Sequence, residues 1–326
     1  MRKPSLLLIA IMIAITPIYF VACNNEPKNT TEATEIPKTN EDSLKKVVER
    51  GEYLANHVAL CMDCHSKRDF TKFSGPPVPG TEGMGGEMFD QKMVGLPGVI
   101  YARNITPDIE TGIGNWTDND IIRAVTQGLS KRGDTLFPLM PYPSYNKMAR
   151  EDLLSIVAYL RTLKPIKNVV PTRQLMIPVS MVYPPGLKTS IDSNMMPPAS
   201  DLIAYGAYMT TMSACFDCHT PMIKGAFDFK HPFSGGHVFD LTSFKVAAAN
   251  ITPDSATGIG TWNEERFLNK FILYRKEESY NFAAGKQNTI MPLTNYAGMT
   301  DDDLRAIYAF LRTLPPQKNK VEKYPK

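Results

Sequence analysis

The sequence predicts an all-α fold made of two tandem copies of one small helical unit. Three observations carry this expectation. The chain repeats itself at an offset that drifts only between 146 and 154 residues. Each copy opens and closes on a stretch with helical apolar period, and no run alternates convincingly as a strand. The length of 326 residues also suits two domains. Hydrophobic residues at 43% and charged residues at 21% exclude a disordered chain, a coiled coil and a multi-span membrane protein. Lys and Arg number 36 against 33 Asp and Glu, too even a balance to imply nucleic acid as a partner. The 26 prolines predict long irregular connections, and the five cysteines are an odd number to account for.

Arg2 and Lys3 form a short positive segment, Leu6 to Ala14 is unbroken apolar chain, and Phe20-Val21-Ala22-Cys23 follows. That order reads as an export signal over residues 1–22. It resembles a bacterial lipoprotein signal, which implies cleavage before Cys23 and a lipid on that cysteine. A retained single-span anchor over residues 5–22 is the other reading. Both expect the body outside the cytoplasm and tied to a membrane, here as a lipoprotein facing the periplasm. Residues 23–42 hold almost no large apolar side chain and are expected to be a flexible tether. Without residues 1–22 the charges are 34 against 33, which names no partner.

The first copy spans 43–164 and the second 200–326. Cys61-Met62-Asp63-Cys64-His65 recurs as Cys215-Phe216-Asp217-Cys218-His219. Asn104-Ile105-Thr106-Pro107-Asp108 recurs as Asn250-Ile251-Thr252-Pro253-Asp254, and Trp116 as Trp262. Met140-Pro141 recurs as Met291-Pro292, and Tyr145 as Tyr296. Leu44, Val47, Val48, Leu54, Ala55 and Val58 mark the first opening helix. Leu153, Ile156, Val157 and Leu160 mark its closing helix, and Leu304, Ile307, Tyr308 and Leu311 the second. Thr300 is the expected N-cap of that last helix, with Asp301 to Asp303 in its first turn. Shorter helices are expected near Asp118–Gln127 and Asn263–Tyr274. Residues 165–199 form a Pro-rich linker, and the Lys318–Lys326 tail is expected to be solvated.

CxxCH supplies two thiols that can add to the vinyl groups of one haem and a histidine that then ligates the iron. Covalent attachment also suits an exported protein. Zinc would need two CxxC pairs far closer than about 150 residues, and a redox disulfide needs neither the histidine nor the repeat. Two covalently bound haem c groups are therefore expected, on Cys61, Cys64 and His65 and on Cys215, Cys218 and His219. Cys23 is left for the lipid, so no disulfide remains. Methionine is a common sixth ligand of electron carriers, and two pairs recur at an offset of 151, Met140/Met291 and Met148/Met299. Met299 precedes the Thr300 cap and suits a hydrophobic staple. Met140 and Met291 precede proline in irregular chain and are the expected distal ligands.

Together these residues resemble a dihaem class I cytochrome c. The chain is similar to the cytochrome c subunits of bacterial membrane-bound alcohol and gluconate dehydrogenases, which share its NITPD…TGIGxW segment. The resemblance covers nearly all of residues 43–326. It implies a small helical fold around each haem, with terminal helices crossing at Gly51 and Gly206 against an aromatic such as Tyr159 or Tyr308. Those subunits usually carry three haems and a C-terminal membrane helix, whereas this sequence has two CxxCH motifs and reads Met-Pro-Leu in its second copy.

Asn104, Thr106 and Trp116 with Asn250, Thr252 and Trp262 are candidate donors to the haem propionates. A capped turn with a core tryptophan explains them equally well. The Nδ1–H of His65 and His219 should meet a carbonyl, with Phe73-Ser74-Gly75-Pro76 and Phe233-Ser234-Gly235-Gly236 as candidate segments. His57, His231 and His237 have no counterparts and are expected at the surface or beside the haems. Asp63 and Asp217 are expected to be solvated. The expected function is membrane-tethered electron transfer between a periplasmic dehydrogenase or respiratory complex and a terminal acceptor. That role involves redox protein partners and no small-molecule substrate. A peroxidase-like dihaem enzyme is the principal rival, and a non-catalytic subunit of a dehydrogenase complex is the other alternative.

Overall fold

A computed structural model describes residues 41–223 and 225–326 of the chain. The export signal, Cys23 and the tether up to residue 40 lie outside the described residues. Glu41 and Asp42 are helical rather than part of the tether, because two acids in a first turn suit the positive helix end. They open α1, Glu41–Tyr53, which widens into a single wide turn over Leu54–Val58. Cys61–His65 is a one-turn helix, α2, and Leu60 before it adopts a left-handed backbone (φ 54°) that turns the chain sharply. A hairpin of β1 (Met88–Asp90) and β2 (Gly98–Tyr101) follows, with the short α3 (Gln91–Val94) at its turn.

Helix α4, Asp118–Gln127, starts on a capping box in which Thr117 and Asp120 bond each other's backbone N–H. It stops at Gly128, whose φ of 65° suits a residue without a side chain. After α5 (Tyr142–Tyr145), helix α6 (Arg150–Thr162) closes the first repeat. The linker then lies along that repeat. Its β3 (Gln174–Leu175) pairs with β2.

The second repeat follows the same order. Helix α7 is Leu202–Met212, capped by Asp201, and α8 is Cys215–His219, again preceded by a left-handed residue, Ala214 (φ 50°). Two pairs of brief strands come next: β4 (Met222–Ile223) with β5 (Ala226–Phe227), then β6 (Val238–Asp240) with β7 (Lys245–Ala247). Helix α9 (Glu264–Ile272), α10 (Leu293–Tyr296) and α11 (Asp301–Thr313) complete it. Thr300 accepts the Asp303 N–H as the N-cap of α11.

The chain is thus helix-rich but not all-α. Its strands are two to four residues long, too short for a period-2 pattern to be visible. No described helix is long and apolar enough to cross a membrane.

In each repeat the first and last helices cross at a glycine. A Cβ on Gly51 would lie 1.8 Å from the Ser155 carbonyl oxygen, and one on Gly206 would lie 1.9 Å from that of Ala306. Gly51 faces Tyr159 as expected, but Gly206 faces Phe310, not Tyr308. The offset of 151 makes Phe310 the partner position, and Tyr308 instead donates its hydroxyl to the Trp262 carbonyl.

The described residues form one compact unit with a shared apolar core. Leu54, Val58, Met148 and Ile156 join Met209, Met299, Leu304 and Leu311 in it without a break. The junction has internal two-fold character. Tyr208 on α7 donates to Asp152 on α6 (2.6 Å), and Tyr53 on α1 donates to Asp303 on α11. Each tyrosine oxygen also accepts the N–H of the cap residue, Ala149 or Thr300, of the helix it reaches.

Candidate functional site

The wide turn after α1 and the left-handed Leu60 lead the chain into α2, where Cys61 packs on the main core and Cys64 on a smaller cluster with Phe89 and Phe244. In the second repeat the left-handed Ala214 leads from α7 into α8. Tyr145 and Tyr296 tie the Met-Pro loops to this turn by donating to the carbonyls of Ala59 and Ser213. These tyrosines recur in the sequence, but only the fold shows that they latch the two walls of each site.

The histidines are oriented through their inner ring nitrogens. His65 Nδ1 lies 2.6 Å from the Arg103 carbonyl and His219 Nδ1 lies 2.7 Å from that of Ala249. Burial pushes both imidazoles below their usual pKa, with the carbonyls opposing. A carbonyl can only accept, so each ring donates its Nδ1–H and keeps Nε2 as the nitrogen facing away from that bond. The acceptors are not in the Phe73–Pro76 or Phe233–Gly236 segments. They are the residues immediately before Asn104 and Asn250. Gly85 and Gly235 instead donate to the carbonyls of His65 and His219 (both 2.7 Å). Both have positive φ, and a Cβ on either would collide with the very carbonyl that orients the ring.

Asn104 and Thr106 are buried, and so are Asn250 and Thr252. Asn104 Oδ1 accepts the N–H (2.9 Å) and hydroxyl (2.7 Å) of Thr106, and its amide donates to Thr111 and to the Ile166 carbonyl. The second repeat reproduces this with Thr252, Thr257 and the Gln317 carbonyl. The polar atoms of these four residues thus pin chain to chain within each repeat. Trp116 and Trp262 are half-buried against the core.

The pinned chain includes residues that sequence reading assigned elsewhere. Asn168, at the start of the linker, donates to the Met84 carbonyl (2.9 Å), and Asn319, in the tail, donates to that of Ser234 (3.0 Å). The tail is therefore not a solvated end: the Lys323 carbonyl accepts the Ala247 N–H, and Tyr324 reaches Gln287. The signal was present, since Pro165-x-Lys167-Asn168 recurs as Pro316-x-Lys318-Asn319 at the same offset of 151.

In the second repeat Cys215, His219, Met291 and Tyr296 line one apolar cleft of about 410 Å³ with Ile251, Phe267 and Phe271. Met299 also borders it while packed in the core below Thr300. Met140 occupies the matching place in the first repeat, its carbonyl accepting the Tyr142 N–H (2.7 Å) as that of Met291 accepts the Leu293 N–H (2.8 Å).

The donor set fits a c-type haem. In the second repeat a thiol (Cys215), an imidazole (His219) and a thioether (Met291) border the same apolar cleft without converging on one point. A bare metal fits poorly, because among the described residues no three His, Cys, Asp or Glu side chains converge. A redox disulfide fits poorly as well. Burial pushes Cys61, Cys215 and Cys218 up to about 12, opposite to a reactive thiolate.

The first motif aspartate is placed differently from expectation, whereas His231 is at the surface as expected. Asp63 is buried and paired with Arg68 at 3.2 Å rather than solvated. Burial raises Asp217 to about 6, tempered by Lys147. His57 bonds the Asn295 carbonyl (2.8 Å) across the junction, and His237 stacks on Phe239 (4.4 Å between ring centres). His231 is exposed beside Asp228.

Comparison with known proteins bears directly on this arrangement. A cytochrome c family model matches residues 203–315. Those residues form a cytochrome c domain. Such a domain implies covalently bound haem c. The chain is 30% identical over 287 residues to the gluconate 2-dehydrogenase cytochrome c subunit of Pantoea cypripedii, covering 82% of this chain and 59% of that one. It is 31% identical over 294 residues to the alcohol dehydrogenase (quinone) cytochrome c subunit of Gluconacetobacter polyoxogenes, covering 84% and 57%. A diheme cytochrome c-type protein of Cereibacter sphaeroides is 24% identical, with 78% and 82% covered. The chain is thus homologous to cytochrome c subunits of dehydrogenases, while spanning less than three-fifths of the length of the first two. Outside the matched cytochrome c domain, the first repeat shows the same histidine tether, latch tyrosine and pinned Asn-Thr turn.

Proposed function

We propose that this chain is a dihaem c-type cytochrome that relays single electrons between redox proteins. The observation that carries the reading is the twice-built donor set, each CxxCH histidine held by its Nδ1 on a backbone carbonyl with its Nε2 facing away from that bond. His65 and His219 would be the proximal ligands and Met140 and Met291 the distal ones, with the four cysteines as thioether bridges. The haem supplies the redox chemistry.

The protein's own part is to fix position and surroundings. The Arg103 and Ala249 carbonyls hold each imidazole in one tautomer and strengthen it as a ligand. The apolar walls around Met291 exclude water. The Tyr145 and Tyr296 latches keep each Met-Pro loop on its motif. Reorganisation on gain or loss of an electron is thereby kept small, which suits a carrier.

Relatives that are dehydrogenase subunits support a dehydrogenase as the electron donor, met either in passing or within a complex. The signal-like residues 1–22 and Cys23 support export and a lipid tether facing the periplasm. Haem quantification by alkaline pyridine spectra tests the reading. Two haems per chain are expected, and one in the Cys215→Ser/Cys218→Ser variant. Unaltered content in that variant would remove the second repeat as an attachment site.

A further inference from the structure

The loop after the first CxxCH motif serves the other repeat. Phe73, Ser74 and Gly75 are buried, and the first two reach the second half, Ser74 at the Met-Pro-Leu loop and Phe73 at the aromatic side chains before it. Ser74 Oγ donates to the Met291 carbonyl at 2.7 Å and accepts the Leu293 N–H at 2.8 Å, so it brackets Met291-Pro292 from both ends. The Ser74 N–H donates to Asn288 Oδ1 (2.8 Å), whose amide returns bonds to the carbonyls of Phe70 and Lys72 (both 3.0 Å). Phe73 stacks on Tyr274 and Phe282, at 5.4 and 5.5 Å between ring centres.

Arg68 holds this arm in place. It donates to the carbonyls of Ser74 (2.7 Å), Gly75 (2.9 Å) and Ile290 (3.3 Å). Its other nitrogen pairs with Asp63, the residue before Cys64, and the two side chains are only 5% and 8% exposed. Ser74 has φ of 66°, a left-handed backbone that a non-glycine residue keeps only where surrounding contacts impose it. The first repeat has no equivalent brace. Among the described residues, the Met140 carbonyl accepts only from Tyr142 of its own loop.

We propose that Ser74, anchored by Arg68, is a positioning residue for the axial methionine of the second haem. One repeat thereby sets the distal ligation of the other. The inference rests on the reading of Met291 as that ligand. Removing the hydroxyl cuts both side-chain bonds that tie the Met291 carbonyl and the Leu293 N–H to the first repeat, leaving only the bond between those two groups within the loop. The first haem, with its own Met140 loop, is untouched.

The test uses the full chain carrying both haems and compares Met291→Ala with Ser74→Ala. Met291→Ala is expected to remove about half of the weak sulfur-to-iron charge-transfer absorbance and to lower the potential of one haem only. Ser74→Ala is expected to weaken the same half and shift the same potential downward. If Met291→Ala leaves the absorbance whole, the ligand reading itself is lost. If Met291→Ala halves it while Ser74→Ala leaves absorbance and both potentials at wild-type values, the arm has no positioning role. Should Ser74→Ala not accumulate, Arg68→Gln loosens the same arm through the Ser74 and Ile290 carbonyls. An unchanged second potential there overturns the proposal equally.

Discussion

Tyr208 of the second repeat donates its hydroxyl to Asp152 of the first at 2.6 Å, and Tyr53 of the first returns the same bond to Asp303 of the second. Each carboxylate is buried at the start of a closing helix and also holds one partner from its own repeat, Arg50 for Asp152 and Tyr205 for Asp303. Burial works against the Arg50 charge, but Asp152 and the more distant Asp303 outweigh it and raise its pKa. The two clusters therefore feel each other across the junction.

Removing either cross-repeat hydroxyl leaves a buried carboxylate short of one donor. Tyr208→Phe and Tyr53→Phe are each expected to cost about 2 kcal/mol, the scale of a hydrogen bond to a charged group. Because the clusters adjoin, the double variant should depart from the sum of the singles. Chemical denaturation of the haem-loaded protein checks this. Strict additivity would show the two clusters to be independent.

The glycine crossings give a sharper loss. Gly206→Ala places a methyl group 1.9 Å from the Ala306 carbonyl oxygen, against backbone that cannot swing aside. The helices must separate, at an expected cost of about 3 kcal/mol. Thermal unfolding should show a large fall in Tm for Gly206→Ala, and an unchanged Tm would contradict the close approach of the two helices.

Acid sensitivity follows from the repeated Asn-Ile-Thr-Pro-Asp turn. The Thr111 hydroxyl and N–H hold the Asp108 carboxylate below its ordinary pKa, with desolvation opposing. Thr257 does the same for Asp254. A lowered folded-state pKa means that this stabilisation is present above the ordinary carboxylate value near 4 and is lost as pH falls through the lower folded value. The Asp108→Asn/Asp254→Asn variant should be less stable than wild type at neutral pH. Its stability should also decline less steeply on acidification below about pH 4. Denaturation midpoints across that range check the sign, and parallel pH profiles would contradict it.

Much of this was legible in the chain itself. Repetition exposed the CxxCH motifs, the Met-Pro pairs and the latch tyrosines, and local pattern exposed the Thr300 cap. Amphipathic period then placed the long helices. The brief strands were not legible, because two to four residues are too few to show alternation. The tail was misread because Lys318 to Lys326 looks solvated by composition, while Asn319 acts through backbone carbonyls that no side-chain pattern advertises.

By itself, the amino-acid order determined which atoms can hold a cofactor, since thiol, imidazole and thioether chemistry is local to CxxCH and Met-Pro. Only the tertiary structure decided how those atoms are aimed and coupled. The carbonyls of Arg103 and Ala249, the crossings at Gly51 and Gly206, and the reach of Ser74 into the other repeat all depend on backbone groups. Every residue carries the same backbone groups, so their partners appear only once the chain has brought distant segments together.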